Sequence, residues 1–165
     1  MSEEQHEELP VYDENDAVRY VMARTSYSEE HVALILKAQT IYLAALGAFP
    51  AETVPGVNLS AVIRAYSDLF PEDLRASGCS RWDLEAEFAS QHTELPWRWV
   101  LEVLLGASNY EYSIGVINEE ALREHEHYVA DELHLMGHSA DDVTKLVYAK
   151  RLPSNRQNRR VRHDN

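Results

Sequence analysis

The sequence predicts an all-α fold: a compact helical domain of about seven helices, including two helix-turn-helix-like hairpins, with disordered termini. Hydrophobic residues recur at three- and four-residue steps, the spacing that gathers them on one face of a helix. Residues able to cap a helix N-terminus precede these runs, and glycine or proline follows them. Residues 113–117 resemble a short strand, but no other segment offers a partner.

The first hairpin is predicted from residues 16–25 and 29–46. Asn15 or Asp16 is expected to cap its first helix, and Ser28 its second, because these side chains accept hydrogen bonds from free backbone amides. One face of the second helix is apolar apart from a glutamine. It comprises Val32, Ile35, Leu36, Gln39, Leu43 and Leu46.

Glycine and proline delimit the helices in the middle of the chain. Gly47 is expected to end the second helix, and two prolines make residues 48–58 a loop. A later helix is expected to begin at Pro96 and end at Gly106, which leaves residues 107–117 as the least helical stretch. The helices expected here cover residues 60–70 (capped by Ser60), 71–78, 80–91 and 96–105.

The second hairpin is predicted from residues 118–136 and 139–152, capped by Asn118 and Ser139, with Gly137 in its turn. A shift of the sequence by 111 residues lays the first hairpin on the second and superposes their serine caps. Helical periodicity alone accounts for most of these matches. We therefore interpret the two hairpins as similar structural elements and not as an internal sequence repeat.

Composition indicates one domain, residues 15–152, between an acidic disordered lead (1–14) and a basic flexible tail (153–165). Cys79 is the only cysteine, which excludes an intramolecular disulfide and a zinc site built on several thiolates. No apolar run reaches the roughly 18 residues of a membrane span, and the first ten residues lack the bases of a signal peptide. We expect a soluble, cytoplasmic protein without membrane contact.

Charge divides the chain sharply near its C-terminal end. Residues 1–144 hold 27 Asp or Glu against 8 Lys or Arg, a balance of −19, within a total of −13. Residues 145–165 hold seven bases and one acid, a balance of +6. An asymmetry of this kind indicates a cationic segment that meets an anionic partner.

The second hairpin has the layout of a DNA-binding helix-turn-helix, whose second helix carries polar and basic side chains toward phosphates and base edges. Asp141 and Asp142 argue against this function, because they would face DNA, and Leu133 stands where the prokaryotic motif favours alanine. The residues predicted to bind nucleic acid or another anionic partner are Thr144, Lys145, Tyr148, Lys150, Arg151, Arg156, Arg159, Arg160 and Arg162.

Histidines cluster in the same region, at positions 125, 127, 134 and 138. His127, Asp131 and His134 share a helical face that a metal could bridge. Metal sites in helical bundles draw ligands from several helices, and no second helix offers a matching pair. We therefore predict no metal and no cofactor, and keep pH sensing by these histidines as an alternative.

The segment from Gly137 to Ala149 resembles the terminal box of the tyrosine recombinases. The resemblance covers 13 residues and implies that His138 would assist phosphoryl transfer and Tyr148 would be the nucleophile. The rest of the family's pattern is missing, because Leu122–His125 lies too close to His138 to serve as the upstream box. Paired arginines that would stabilise a phosphorane have no candidates. We expect no enzymatic activity.

These observations predict a non-enzymatic helical interaction protein. Its acidic body is expected to dock on a protein partner or on its own copy, and its basic C-terminal segment to contact an anionic partner. Small size, acidic balance and the lack of catalytic motifs are typical of accessory or structural proteins of phages and bacteria. One alternative is a helix-turn-helix DNA-binding regulator that uses residues 139–151. Another is an acidic nucleic-acid mimic that blocks a basic site on its target.

Overall fold

The computed structural model of the protein describes residues 12–73 and 81–149. These residues form seven α-helices and no strand, which confirms the all-α class. A π-helical turn, Thr144–Tyr148, continues the last helix, and 3-10 turns flank the third helix at Ala51–Thr53 and Ser67–Leu69. The helices are α1 Glu14–Arg24, α2 Glu29–Ala45, α3 Leu59–Ala65, α4 Arg81–Thr93, α5 Trp97–Ser113, α6 Glu119–Leu135 and α7 Ala140–Val143.

Helix α5 forms the centre of the molecule. Its residues from Val100 to Tyr110 are all buried, so the helix has no solvent-facing side over three turns. A helix that is apolar on most sides is stable only when neighbours surround it. Helices α1, α2, α4 and α6 pack against α5, and α2 also packs extensively against α4.

Gly106 lies inside α5 and does not end it, contrary to the sequence prediction. The structure shows why glycine occupies this position: a Cβ atom there would lie 3.2 Å from both methyl groups of Val21 on α1. The glycine permits close approach of two helices, and this packing offsets its poor helix propensity. The expectation that residues 107–117 are the least helical stretch is wrong for residues 107–113, because α5 continues to Ser113, and only residues 114–117 form a turn.

Two predicted N-caps are wrong, and a nearby residue takes the role in each case. Asp13 caps α1 by accepting a hydrogen bond from the amide of Asp16 at 3.0 Å. Asn58 caps α3 in the same way, with Ala61 as the donor at 3.0 Å, in place of Ser60. Each helix has more than one nearby residue whose side chain could accept the capping hydrogen bond, so the sequence alone does not fix which one does.

Three helices end in the same glycine-centred motif. Gly47, Gly115 and Gly137 have φ values of +83°, +84° and +96°, a region that glycine enters without steric cost. After α6, the amide of Gly137 donates to the carbonyl of His134, and the amide of His138 donates to that of Leu133. This pair of hydrogen bonds defines a Schellman motif and satisfies two free carbonyl groups. The predicted stops at Gly47 and Gly137 are confirmed.

Both helix-turn-helix-like hairpins are present. Ser28 caps α2 through the amide of His31, and Ser139 caps α7 through the amide of Asp142. The second helices differ in length, since α2 has 17 residues whereas α7 has four before the π-helical turn. The hairpins therefore share their turn and cap but not their second helix.

Several predictions concern residues outside the described ranges. These are the acidic lead up to Val11, residues 74–78 of the helix expected over 71–78, the first residue of the helix expected over 80–91, and the segment from Lys150 onward. Among the helices that the structure describes, none has the length and apolarity needed to cross a lipid bilayer.

Candidate functional site

The candidate site is the C-terminal hairpin, formed by α6, α7 and the π-helical turn. Helix α6 is anchored to the body by Leu122, Val129 and Leu133, which are fully buried. The second half of the hairpin is held by Arg24 at the end of α1, whose guanidinium donates to the carbonyl of Val147 at 2.8 Å in the interior. Contacts from two directions therefore fix the hairpin on the body.

The tip of the hairpin exposes apolar side chains. Leu135, the last residue of α6, is 82% exposed, and Met136 beside it is 45% exposed. Tyr148, in the π-helical turn of the same hairpin, is 41% exposed. Single exposed apolar residues are common, but several on one hairpin are typical of a surface that contacts another molecule.

Helix α7 and the π-helical turn separate a buried face from an outward face. Val143 and Val147 are buried against the body, whereas Thr144, Lys145 and Tyr148 are exposed. The structure thus orients the three described members of the predicted binding set toward solvent. The other members, Lys150, Arg151, Arg156, Arg159, Arg160 and Arg162, lie outside the described residues.

The two acidic side chains at the start of α7 stabilise the helix and would repel an anion bound at this end. Asp141 and Asp142 are exposed in its first turn, where their charges stabilise the helix dipole. Asp142 Oδ2 also lies 4.0 Å from Nδ1 of His138. Burial, together with the charges of Glu126 and Asp131, raises the pKa of Tyr148, so its phenol is neutral at physiological pH.

The four histidines of this region separate into different environments. His127 and His134 are exposed on α6, and His138 is half-buried in the turn. His125 is only 2% exposed and stacks on Trp82 of α4, with ring centroids 4.1 Å apart and planes 6° apart. Nowhere in residues 12–73 or 81–149 do three His, Cys, Asp or Glu side chains converge closely enough to hold a metal ion.

His125 also contacts Ser108 of α5, whose hydroxyl lies 2.6 Å from its Nδ1 atom. Burial, and then the charges of Arg81 and Arg24, lower the pKa of His125 to about 3, so the ring is neutral. The serine hydroxyl donates to Nδ1 when the ring proton is on Nε2, and accepts from it when the proton is on Nδ1. A serine and a histidine in contact resemble a nucleophile and its base. Both side chains are buried, so the pair links α5 to α6 and is not open to a substrate.

A second buried polar group lies between α2, α4 and α5, and sequence reasoning missed it. Gln39 donates to Oε1 of Glu85 at 2.5 Å, and Nε of Arg81 lies 3.8 Å from Oε2 of Glu85. Burial raises the pKa of Glu85. The pKa of Glu111 on α5 is raised to about 7, by its own burial and then by the charge of Glu85. The sequence offered one indication of a buried carboxyl. Glu85 lies between Leu84 and Ala86 and three residues before Phe88, so it shares a helix face with apolar side chains.

The contacts of His125 with Ser108 and of Glu85 with Gln39 are thus buried, whereas the C-terminal hairpin is exposed. Only the hairpin combines exposed apolar side chains, an exposed lysine and direct continuity with the basic run of the sequence. We therefore take the hairpin as the candidate site. Comparison with models of known protein families, with characterised proteins and with solved structures finds no match to this chain.

Proposed function

We propose that this protein is a non-enzymatic helical interaction protein that binds an anionic partner through its C-terminal hairpin and the basic segment after it. One observation carries the proposal. Thr144, Lys145 and Tyr148 face solvent on an element whose opposite face, Val143 and Val147, is buried in the body. Lys145, the first base of the cationic segment, thus projects from a π-helical turn that is packed on the body, and the body itself is strongly negative.

Protein docking uses the tip of the same hairpin in this proposal. Leu135 and Met136 offer apolar area that becomes buried when a partner or a second copy covers it. The basic segment adds electrostatic attraction, which raises the association rate and weakens as salt screens the charges. Apolar contacts at the tip and ionic contacts of the basic segment would therefore act together in one complex.

The test measures binding of a labelled DNA duplex and of labelled poly-glutamate to the full chain at 50 and 200 mM salt. We expect both polyanions to bind, with affinity that falls steeply with salt because counterions are released. Replacement of Arg156, Arg159, Arg160 and Arg162 by Gln should abolish binding, whereas Arg123→Gln on α6 should not change it. If neither polyanion binds at 50 mM salt, the proposal is wrong.

A helix-turn-helix DNA-binding regulator is the second candidate, favoured by the outward face of α7 and the π-helical turn. Asp141 and Asp142 stand at the end of α7 that would approach the bases, which weighs against this function. A DNA reader should discriminate between duplex sequences and lose that discrimination on Lys145→Ala. Affinity that is equal for unrelated duplexes, and unaffected by Lys145→Ala, would rule this candidate out.

A further inference from the structure

Arg24, the last residue of α1, carries its positive charge into the interior of the molecule. The residue is only 3% exposed, and its guanidinium donates to the carbonyl of Val147, which lies 123 positions further along the chain. Burying a guanidinium costs free energy, so a buried arginine is weak evidence for stability. In several proteins such groups instead fix one arrangement of the chain. The partner of Arg24 indicates which arrangement it fixes here.

The carbonyl that Arg24 binds belongs to the π-helical turn Thr144–Tyr148. In this turn the amide of Ala149 donates to the carbonyl of Thr144 at 2.8 Å, five residues before it, whereas α7 has ordinary α-helical hydrogen bonds. A turn that includes one more residue rotates each residue less about the helix axis. It therefore changes the direction of the side chains that follow. Turns of this kind are rare and occur frequently at functional sites.

The π-helical turn is held on the body from three helices. Val147 is fully buried, and the turn packs against α5 and α6. The hydrogen bond from Arg24 adds α1 and acts on the backbone directly before Tyr148. Tyr148 faces outward but is partly covered, and its burial, followed by the charges of Glu126 and Asp131 on α6, raises its pKa. The titration of Tyr148 therefore reports whether the turn keeps its position.

We infer that Arg24 is a positioning residue, which holds the π-helical winding of Thr144–Tyr148 and so sets the outward direction of Lys145 and Tyr148. The importance of this direction for binding rests on the proposed function, in which these side chains contact the partner. Without the guanidinium, the carbonyl of Val147 loses a buried donor. The turn should then open or return to α-helical hydrogen bonding, while the rest of the body keeps its fold.

The experiment compares Arg24→Met with the unsubstituted full chain by NMR. Tyr148 and Ala149 form the only Tyr-Ala step in the sequence, so carbon-13 carbonyl labels on tyrosine and nitrogen-15 labels on alanine give one correlated signal, the Ala149 amide. We expect this amide to exchange with deuterated water at least tenfold faster in Arg24→Met, because its bond to Thr144 opens. The pKa of Tyr148 should also fall toward the ordinary tyrosine value as its ring becomes more exposed.

Tyr27→Phe is the matched control, because it removes a different hydrogen bond near the end of α1, the one from Tyr27 to the buried Glu102. It should leave both measurements unchanged. Arg24→Gln, whose N–H donors reach less far, should speed exchange at least threefold, and it decides the question if Arg24→Met does not fold. Unchanged exchange in the Arg24 variants, or an equal effect of Tyr27→Phe, would overturn the inference. Neither measurement involves an anionic partner, so this inference and the proposed function can fail separately.

Discussion

At the residue scale, Glu111 is a group whose ionisation changes the stability of the fold near neutral pH. It lies on α5 beside the buried Glu85, and its pKa is raised to about 7 by burial and by the charge of Glu85. A carboxyl with a raised pKa favours the folded state while it is protonated. That contribution is fully present below the ordinary glutamate pKa and is lost as pH rises through about 7.

We predict that Glu111→Gln stabilises the protein at pH 8 by about 1–3 kcal/mol, because it removes a charge that is costly to bury. At pH 4 the two proteins should differ little, since Glu111 is then protonated in the folded state and mostly protonated in the unfolded state. Urea unfolding at both pH values measures the difference. Glu124→Gln, at an exposed position of α6, is the control and should show no such dependence. An effect of equal size at both pH values would contradict the prediction.

Asn109 is fully buried on α5, and neither atom of its side-chain amide has a hydrogen-bond partner among the described residues. We predict that Asn109→Leu, which keeps the branched shape, stabilises the protein by about 1–3 kcal/mol, the cost of burying such a group unsatisfied. Asn118→Leu should instead destabilise it, because Asn118 caps α6. Thermal unfolding of both variants gives the comparison. Loss of stability in Asn109→Leu would show that the amide is satisfied.

At the element scale, the caps set where helices begin. Asn58 caps α3, a helix of seven residues that is short for its own stability. We predict that Asn58→Ala costs about 1 kcal/mol, because an amide at the start of α3 loses its acceptor. Ser60→Ala is the matched control, since Ser60 lies inside the helix and should change stability little. Equal effects in chemical unfolding would mean that Asn58 has no special role.

The contact between α1 and α5 depends on Gly106. We predict that Gly106→Ala destabilises the protein by about 1 kcal/mol, because overpacking against Val21 outweighs the gain in helix propensity. Val21→Ala alone should also destabilise, through the loss of buried methyl groups. The double variant should lose less stability than the sum of the losses in the two single variants, which a double-mutant cycle measures. If the two losses of stability simply add, the methyl group introduced by Gly106→Ala is not strained against Val21.

At the scale of the whole molecule, the charge of −13 destabilises the compact state through self-repulsion. The ion pairs of Arg19, Arg81, Arg98 and Arg123 each join residues of one helix, so they offset little of this repulsion. We predict that the unfolding temperature rises by about 2–4 °C between 10 and 200 mM NaCl, equivalent to about 1 kcal/mol for a domain of this size.

Calorimetry measures this rise, and tetramethylammonium chloride at the same ionic strength is the control, because screening depends on ionic strength and not on the cation. A fall in unfolding temperature with salt would mean that ion pairs contribute more than the net repulsion removes. A rise with one salt alone would indicate a bound ion and not screening.

The fold class, both hairpins and the stops at Gly47 and Gly137 are predictable from the sequence, because helical periodicity and capping act between residues a few positions apart. The outward orientation of Thr144, Lys145 and Tyr148 also followed from that periodicity. The role of Gly106, the burial of Glu85, the partial burial of Glu111 and the stacking of His125 on Trp82 are visible only in the folded molecule. Each of these features depends on which helices pack together. Such contacts join residues far apart in the chain, and patterns over a few neighbouring residues do not predict them.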